Sequence, residues 1–380
     1  MRVVIIGGGP AGLYLGYRLK RREPQAEIRI FEQNPAGATF GFGVVFSDQA
    51  LAFLGEDDPE TLAAIAPHME SWQDITLIHR GENIAIDGIG FAAIGRLKLL
   101  QLLDARTRSV GIEPSYGRVI ATLDEVADAD LIVGADGVNS VVRRAHIGEF
   151  GTTSAHLRNR FAWFGTTRPF ATLTQTFRQT EFGHFNAHHY RYAPDASTFI
   201  VEIDDQTFAR AGLERMSEPD AKRLCEEVFA ETLDGHKLIS NHSIWRQFPV
   251  IRNARWSYGN RVLIGDALHT AHFSIGSGTR LALEDAIALD KALASHARDI
   301  PAALKAYEQS RRPILEKILA GADRSAAWYE DFASHMQRDP IDFALAYVTR
   351  SGRVDSNRLR QISPRFAARY ESERPLAPSG

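Results

Sequence analysis

Apolar residues are distributed along the chain in three ways. A short continuous run, Arg2-Val-Val-Ile-Ile6, stopped by glycine, reads as a strand buried on both faces. Residues 11–22 follow as a helix, with Leu13, Leu15, Tyr17 and Leu19 supplying its apolar faces. Glu27-Ile-Arg-Ile-Phe31 reads as a second strand, so a βαβ unit starts almost at the first residue. The same alternation predicts an amphipathic helix over 97–110, a buried strand over 130–134 and another at Arg261-Val-Leu-Ile264. A helix from about 280 to 295 and further helix over 301–335 complete this set. The stretch from about 155 to 250 differs. Aromatics and threonines recur in Arg160-Phe-Ala-Trp-Phe-Gly-Thr-Thr167 and Ser197-Thr-Phe-Ile-Val-Glu202, which is antiparallel-sheet character. After about 350 the chain is charged and contains proline, which predicts a loosely attached tail.

These patterns divide the chain. Segments 1–75, 96–150 and 255–330 form one discontinuous α/β domain in this reading. Segments 76–95 and 151–254 form a sheet domain inserted into it, and 331–380 form a C-terminal helix and tail.

Composition narrows the class only modestly. A length of 380 residues, 44% hydrophobic and 24% charged, excludes disordered, collagen-like and coiled-coil chains. A net charge of −3 argues against a dedicated nucleic-acid binder. The single cysteine, Cys225, excludes an intrachain disulfide and a multi-cysteine zinc site, fits a reducing cytoplasm, and leaves no metal site expected. No uninterrupted apolar run is long enough for a membrane span. The N-terminal run is broken by Gly7-Gly8-Gly9-Pro10 and lacks a clear cleavage site, so a signal peptide is not expected.

Chemistry enters at Gly7-Gly8-Gly9-Pro10-Ala11-Gly12, a G-x-G-x-x-G motif between the first strand and helix. Gly7 permits the tight turn, Gly9 lets backbone approach a pyrophosphate, and Gly12 allows close helix–strand packing. The helix N-terminus offers free N–H groups to phosphate. Glu32 ends the second strand, where its carboxylate can accept ribose hydroxyls and would repel a 2′-phosphate. NAD and FAD both remain open at this point.

Two further motifs follow strands: Gly134-Ala135-Asp136-Gly137-Val138-Asn139-Ser140-Val141-Val142-Arg143, and Gly265-Asp266-Ala267-Leu268-His269 with Gly276 and Gly278 downstream. With the glycine motif, and in this order, they resemble the single-component flavin aromatic hydroxylases. The resemblance implies a Rossmann-like FAD-binding domain of the glutathione-reductase type with an inserted, mainly antiparallel substrate sheet and C-terminal helices. It implies bound FAD, transient NADH or NADPH, O2 as co-substrate, and ring hydroxylation through a flavin C4a-hydroperoxide. It also implies residue roles. Asp266 would bond the ribityl or pyrophosphate region. Gly276, Gly278 and Thr279 would bring a helix N-terminus to the flavin ring, where its dipole favours the reduced anion. Arg96 would reach the phosphates, and Asp136, Gly137 and Arg143 would serve cofactor packing and nicotinamide use. Ala11, Gln33 and Val44 complete the expected cofactor contacts.

The chain departs from the family where a pair of prolines is usual near the flavin. His272-Phe273 stand there, and Arg280 replaces an expected asparagine. With Thr39-Phe-Gly-Phe-Gly-Val-Val-Phe-Ser-Asp48 and Phe185-Asn186-Ala187-His188-His189-Tyr190, this variant resembles the branch containing the aryl-CoA hydroxylases. The expected substrate is therefore an aryl-CoA thioester such as salicyloyl-CoA, hydroxylated at C5 to gentisyl-CoA. Alternatives are 2-aminobenzoyl-CoA and a free indole or phenol. A fused reductase domain, present in one member of the branch, has no counterpart in 380 residues, which favours plain hydroxylation. A non-catalytic protein on the same fold is disfavoured by intact Gly7, Gly9, Glu32, Asp136 and Asp266.

Histidine suits proton handling near neutral pH. His272 is the first candidate, because its loop lies near the reactive edge. His188 and His189 are adjacent on a strand, so only one can face a ligand. His269 reads as structural. Phe42, Val44, Phe164 and Phe273 are candidates for an aromatic pocket. Arg158, Arg160, Arg168, Arg191 and Arg280 are available for CoA phosphates. A monomer or homodimer acting on a small molecule, without nucleic acid or membrane, is the expected state.

Overall fold

The computed structural model describes residues 1–47, 52–296 and 299–374. Asp48 and the last six residues of the tail lie outside them.

The first strand, Arg2–Ile6, sits at the centre of a six-stranded sheet. It pairs in parallel with Glu27–Glu32 on one side and Leu131–Gly134 on the other, so Ile5 lies between Ile30 and Val133. Val3, Val4 and Ile5 are fully buried, as the central strand of a mainly parallel sheet is when both its faces are covered. Arg261–Leu263 adds a further parallel strand beside Leu131–Gly134, with Ser257–Tyr258 antiparallel at that edge. The helix Pro10–Arg22 crosses from the first strand to the second and packs on the helices Arg96–Ser109 and Gly278–Ser295.

The second sheet has eight strands and is mainly antiparallel. Its centre is Thr152–Thr166, Ala196–Ile203, Gly183–Ala193 and Leu173–Thr180 in that order. Side chains alternate across it. Phe199, Val201 and Ile203 enter one core with Phe164, Phe185, Cys225 and Phe229, while Thr198, Ile200 and Glu202 face the other side. Short helices over 205–233 cover the first face.

Residues 76–95 do not act as one unit. Ile75–His79 and Glu82–Ile86 extend the large sheet through a parallel pairing with Leu173–Thr180. Phe91–Gly95 instead pairs with Gly43–Ser47 and Glu70–Trp72 in a small third sheet. The division follows from the turn at Asp87-Gly88, which directs the chain away from the large sheet.

The tail expected to be loose is docked as far as residue 374. Helices Ser356–Ile362 and Pro364–Glu373 bury Leu359, Phe366 and Ala367 against Ile84, Ile86, Phe343 and Tyr347. Asp87 caps the second of these helices, accepting bonds from the Arg365 and Phe366 amides at 3.2 and 2.9 Å. A charged exposed face concealed this apolar stripe from a reading of composition. The helix over 301–335 is two elements, Ile300–Glu330 and Phe332–His335. Among the described residues no helix is long and apolar enough to cross a membrane, and no acidic, histidine or cysteine cluster could hold a metal ion.

Phe366→Ala is expected to destabilise the protein by about 3 kcal/mol in urea unfolding, the usual cost of emptying a buried aromatic site. A loss under about 0.5 kcal/mol, typical of surface changes, would show the tail to be loose after all.

Candidate functional site

The cleft is built where three strands end. Gly7, at the end of the first strand, has φ +112°, and a Cβ there would lie 2.2 Å from the Ala135 carbonyl oxygen. The two strand ends can therefore meet only at glycine. A Cβ at Gly12 would lie 2.0 Å from the Gly7 carbonyl oxygen, which is the close helix–strand contact the motif predicts. At Gly9 a Cβ would meet nothing within 4 Å, so the helix Pro10–Arg22 presents its free N–H groups to open space. Ala11 is buried in this first turn. Glu32 stands beside the loop. One carboxylate oxygen accepts from the Gly8 amide at 2.8 Å, and the other from the Asn34 amide and side chain at 2.8 and 2.7 Å. Gln33 is exposed, so Asn34, not singled out from the sequence, fixes the carboxylate.

In the second motif, Asp136 Oδ2 accepts from the Val141 amide at 2.6 Å, while its Oδ1 is buried without a partner among the described residues. Burial pushes this carboxyl up, against bonds from Ser140 and Val141. Gly137 has φ +71° with open space beyond it. Arg143 is buried beneath the second and third motifs. Its guanidinium is buried and donates to the Ala267 and Val138 carbonyls, so it ties the second motif to the third. Two of its five N–H donors hold backbone carbonyls, which gives this arginine a structural part in joining the motifs.

The third motif rests on a buried ion cluster. Asp285, on the helix Gly278–Ser295, is fully buried and accepts from the Gly265 amide (3.0 Å), His269 Nε2 (2.7 Å) and Arg311 Nε (2.9 Å). Burial opposes its charge, but His269 and Arg311 outweigh that and hold it below the ordinary carboxylate value. Asp266, between Gly265 and His269, stays exposed. Protein around it pushes its carboxyl up, with His269 and Arg96 opposing. Arg96 begins the helix Arg96–Ser109 and is half-buried; its amide donates to the Phe42 carbonyl at 2.7 Å, and its guanidinium bonds only Thr39 Oγ1, at 3.1 Å, among the described residues.

Beyond His269 the chain forms the loop His272–Ser277. Phe273 packs among Phe161, Phe248 and His188 with ring centres 5.0–6.1 Å away. Behind it lies a buried polar cluster centred on Glu202, which is 2% exposed. Glu202 meets His188 Nε2 at 3.3 Å, Asn159 Nδ2 at 3.0 Å and His272 Nε2 at 3.9 Å. Gln175 reaches His188 Nδ1 at 2.8 Å and accepts from the Tyr329 hydroxyl at 3.3 Å. Burial pushes His188 down to about 3 and His272 to about 4, so both rings are neutral at physiological pH. Burial pushes Glu202 up, against His272 and Asn159. The sequence signal for Glu202 was an acidic residue ending an apolar strand.

His189 points the other way. It stacks on Phe199 with ring centres 5.1 Å apart and bonds Thr176 at 2.9 Å, inside the core of the opposite sheet face. Phe164 is fully buried in that same core, on the face away from Glu202. Both corrections follow from the strand's two-residue alternation. Phe42 does line a cavity of about 630 Å³, together with Thr39, Met69, Arg96, Lys98 and Tyr192. Val44 is buried in the strand beside it. Gly276 has φ +59°, Gly278 begins its helix with open space at its Cβ position, and Thr279 is half-buried in the first turn. The arginines considered for phosphate contacts are each paired: Arg158 with Glu330, Arg160 with Asp205, Arg168 with Asp234, Arg191 with Glu70 and Arg280 with Glu284.

A βαβ start with a glycine cradle, two further cleft motifs and an inserted sheet define a dinucleotide-binding flavoprotein fold. A family model described as an FAD binding domain matches residues 118–322, and one described as an NAD(P)-binding Rossmann-like domain matches residues 5–41. Salicyloyl-CoA 5-hydroxylase from a Streptomyces species is 41% identical over 92% of this chain and 70% of its own length. The 3-hydroxy-4-methyl-anthranilyl-[aryl-carrier protein] 5-monooxygenase of Streptosporangium sibiricum is 38% identical over 87% of this chain and 89% of its own. The structure of 2-methyl-3-hydroxypyridine-5-carboxylic acid oxygenase shares the fold, with a TM-score of 0.70 and 18% identity over 97% of this chain and 98% of that one. This chain belongs to the FAD-dependent class A aromatic monooxygenases. It is an enzyme acting on an aromatic small molecule.

The cleft fits FAD on its own geometry. Open space lies over Gly9, Gly137 and Gly278, Arg96 offers a cation with no carboxylate partner among the described residues, and Asp136 keeps an unpaired buried oxygen.

Asp266→Ala is expected to purify with much less than one FAD per chain by visible absorbance; unchanged stoichiometry would remove Asp266 from the cofactor set. A second expectation concerns acid stability. His272 has a folded value near 4, below its ordinary 6.5, so its stabilising effect is full above 6.5 and is lost as pH falls toward 4. His272→Gln should flatten the fall in Tm across that window, and an unaltered slope would contradict a neutral buried His272.

Proposed function

We propose that this monooxygenase hydroxylates an aryl thioester, with salicyloyl-CoA hydroxylated at C5 as the first candidate. One observation carries the reading: the relative named for that substrate and position is 41% identical across 92% of this chain. The carrier-protein relative, named for a different aryl group, also carries position 5 in its name. Together they favour an aryl group presented on a larger carrier. The cavity supports this. A cavity of roughly 150 Å³ accepts benzene, and about 630 Å³ is open here to the cofactor at Arg96 and to a ring with an arm at Phe42, Met69 and Tyr192. Lys98 on its wall suits an anionic or carbonyl-rich chain.

In this reading Gly7, Gly9, Ala11 and Gly12 receive the pyrophosphate, and Glu32 the ribose. Arg96, Asp136, Gly137 and Asp266 line the middle of the cofactor, while Val44, Gly276, Gly278 and Thr279 border its ring. Bound FAD supplies the redox chemistry that activates oxygen. The protein's own part is to exclude water, orient the ring and manage one phenolic proton. His272 is the proton-handling group: its Nδ1 meets Ser274 Oγ and its Nε2 faces Glu202, so it would relay a proton between partners rather than hold it. Phe42 is an aromatic wall of the cavity, and Phe273 stands beside His272 with ring centres 4.1 Å apart. His188 has both ring nitrogens engaged and supports Glu202.

The test is NADH and NADPH oxidation by the FAD-loaded enzyme with salicyloyl-CoA, salicylate and 2-aminobenzoyl-CoA in parallel, with hydroxylated product measured. Salicyloyl-CoA is expected to exceed salicylate in kcat/KM by about 100-fold, since most binding energy comes from the arm. Equal turnover of free salicylate would overturn the thioester reading.

A further inference from the structure

The loop His272–Ser277 carries His272 and Phe273, to which the proposed function gives roles, yet its regular structure is a single turn, Phe273–Ile275, closed by left-handed Gly276. Something else must hold it. On one side Gly276 lies against Val45, where an added Cβ would stand 3.0 Å from Cγ1 and 3.3 Å from the backbone oxygen. On the other side the contacts come from far along the chain. Ser274 Oγ lies 2.9 Å from His272 Nδ1 and 2.8 Å from Ser325 Oγ. Arg350 Nε donates to Ser325 Oγ at 3.0 Å, and its Nη2 donates to the Ser274 carbonyl, 76 positions upstream, at 2.9 Å. The third nitrogen, Nη1, donates to the Tyr347 carbonyl at 2.7 Å.

Arg350 itself is fixed. Its guanidinium lies 3.9 Å from the Tyr347 ring centre and 5.7 Å from that of Tyr329. The turn that carries it is pinned where Arg324 donates to the Ser351 carbonyl at 2.8 Å, next to left-handed Gly352. All three faces of the guanidinium fork are therefore used, on three different acceptors, and two of those acceptors end at Ser274.

We infer that Arg350 is a positioning residue: it clamps the 272–276 loop to the C-terminal helices and so sets where His272 and Phe273 stand. A proline in such a loop would supply stiffness covalently. Here a planar cation supplies it from a distance. The helices beyond 340 thereby become part of the active-site support, although none of their residues lines the cofactor cradle.

Hydrogen exchange on the FAD-loaded enzyme tests this. Arg350→Met keeps bulk against Tyr347 but removes all donors. Arg350→Lys keeps the charge, but an ammonium on a flexible stem cannot meet the three fixed acceptors in the geometry of the fork. Ser325→Ala breaks the hydroxyl link and leaves Arg350 in place. The amides of 272–277 are expected to exchange at least 10-fold faster in Arg350→Met, with smaller increases in the other two variants and no change at 7–12. The bound-flavin absorption spectrum should shift in the same order. Exchange at 272–277 within twofold of wild type would overturn the clamp. So would an equal rise everywhere, which marks a general loss of stability. Should Arg350→Met fail to fold, Ser325→Ala and Arg350→Lys decide the question by the same readout.

Discussion

The cofactor cleft depends on one buried carboxylate. Asp285 accepts a backbone amide, an imidazole and a guanidinium, and these belong to the strand-end loop, its first turn and a separate helix. A charge with no exposure is tolerated when both its oxygens are hydrogen-bonded and a cation lies close, and both conditions hold here. Arg143 adds the complementary link, from the second motif to the Ala267 carbonyl. Three sequence motifs spread over most of the chain thus share one internal framework. The residues left facing outward, Asp266 and Arg96 among them, are free for a ligand because others carry the structural load.

The second half of the molecule repeats the arrangement with neutral groups. Glu202, His188, His272, Asn159 and Gln175 form a buried polar network under Phe273. Burial drives the carboxyl and the two imidazoles toward their uncharged forms. An uncharged but hydrogen-bonded floor suits a site that must stay dry while a proton moves. Asp285 fixes shape with charge, and Glu202 keeps chemistry available without it.

How much of this was legible depended on range. The opening strand, helix and glycine cradle are local, so Gly7, Gly12 and Glu32 could be placed from spacing alone. The strand alternation was legible too, but not its phase. His188 and His189 were both candidates until pairing with Gln175 and Thr176 showed which face each occupies. Phe164 was misread for the same reason. Arg143 was recognised as part of a motif, yet motif membership does not say whether a guanidinium meets a ligand or a carbonyl. The docking of the tail and the reach of Arg350 to Ser274 rest on contacts between residues far apart in sequence, which no local pattern records.

The central strand has its two partners at very different distances along the chain: Val3 beside Ile28, but also beside Leu131. Synthesis proceeds at about 5–20 residues per second, so one edge of that strand waits on the order of ten seconds for its partner. The apolar segment Val3–Ile6 is an unpaired sheet edge throughout that interval, the kind of surface that chaperones cover. The Asp285 carboxylate meets Arg311 later still. The buried framework behind the third motif is therefore complete only once the segment around Arg311 has emerged.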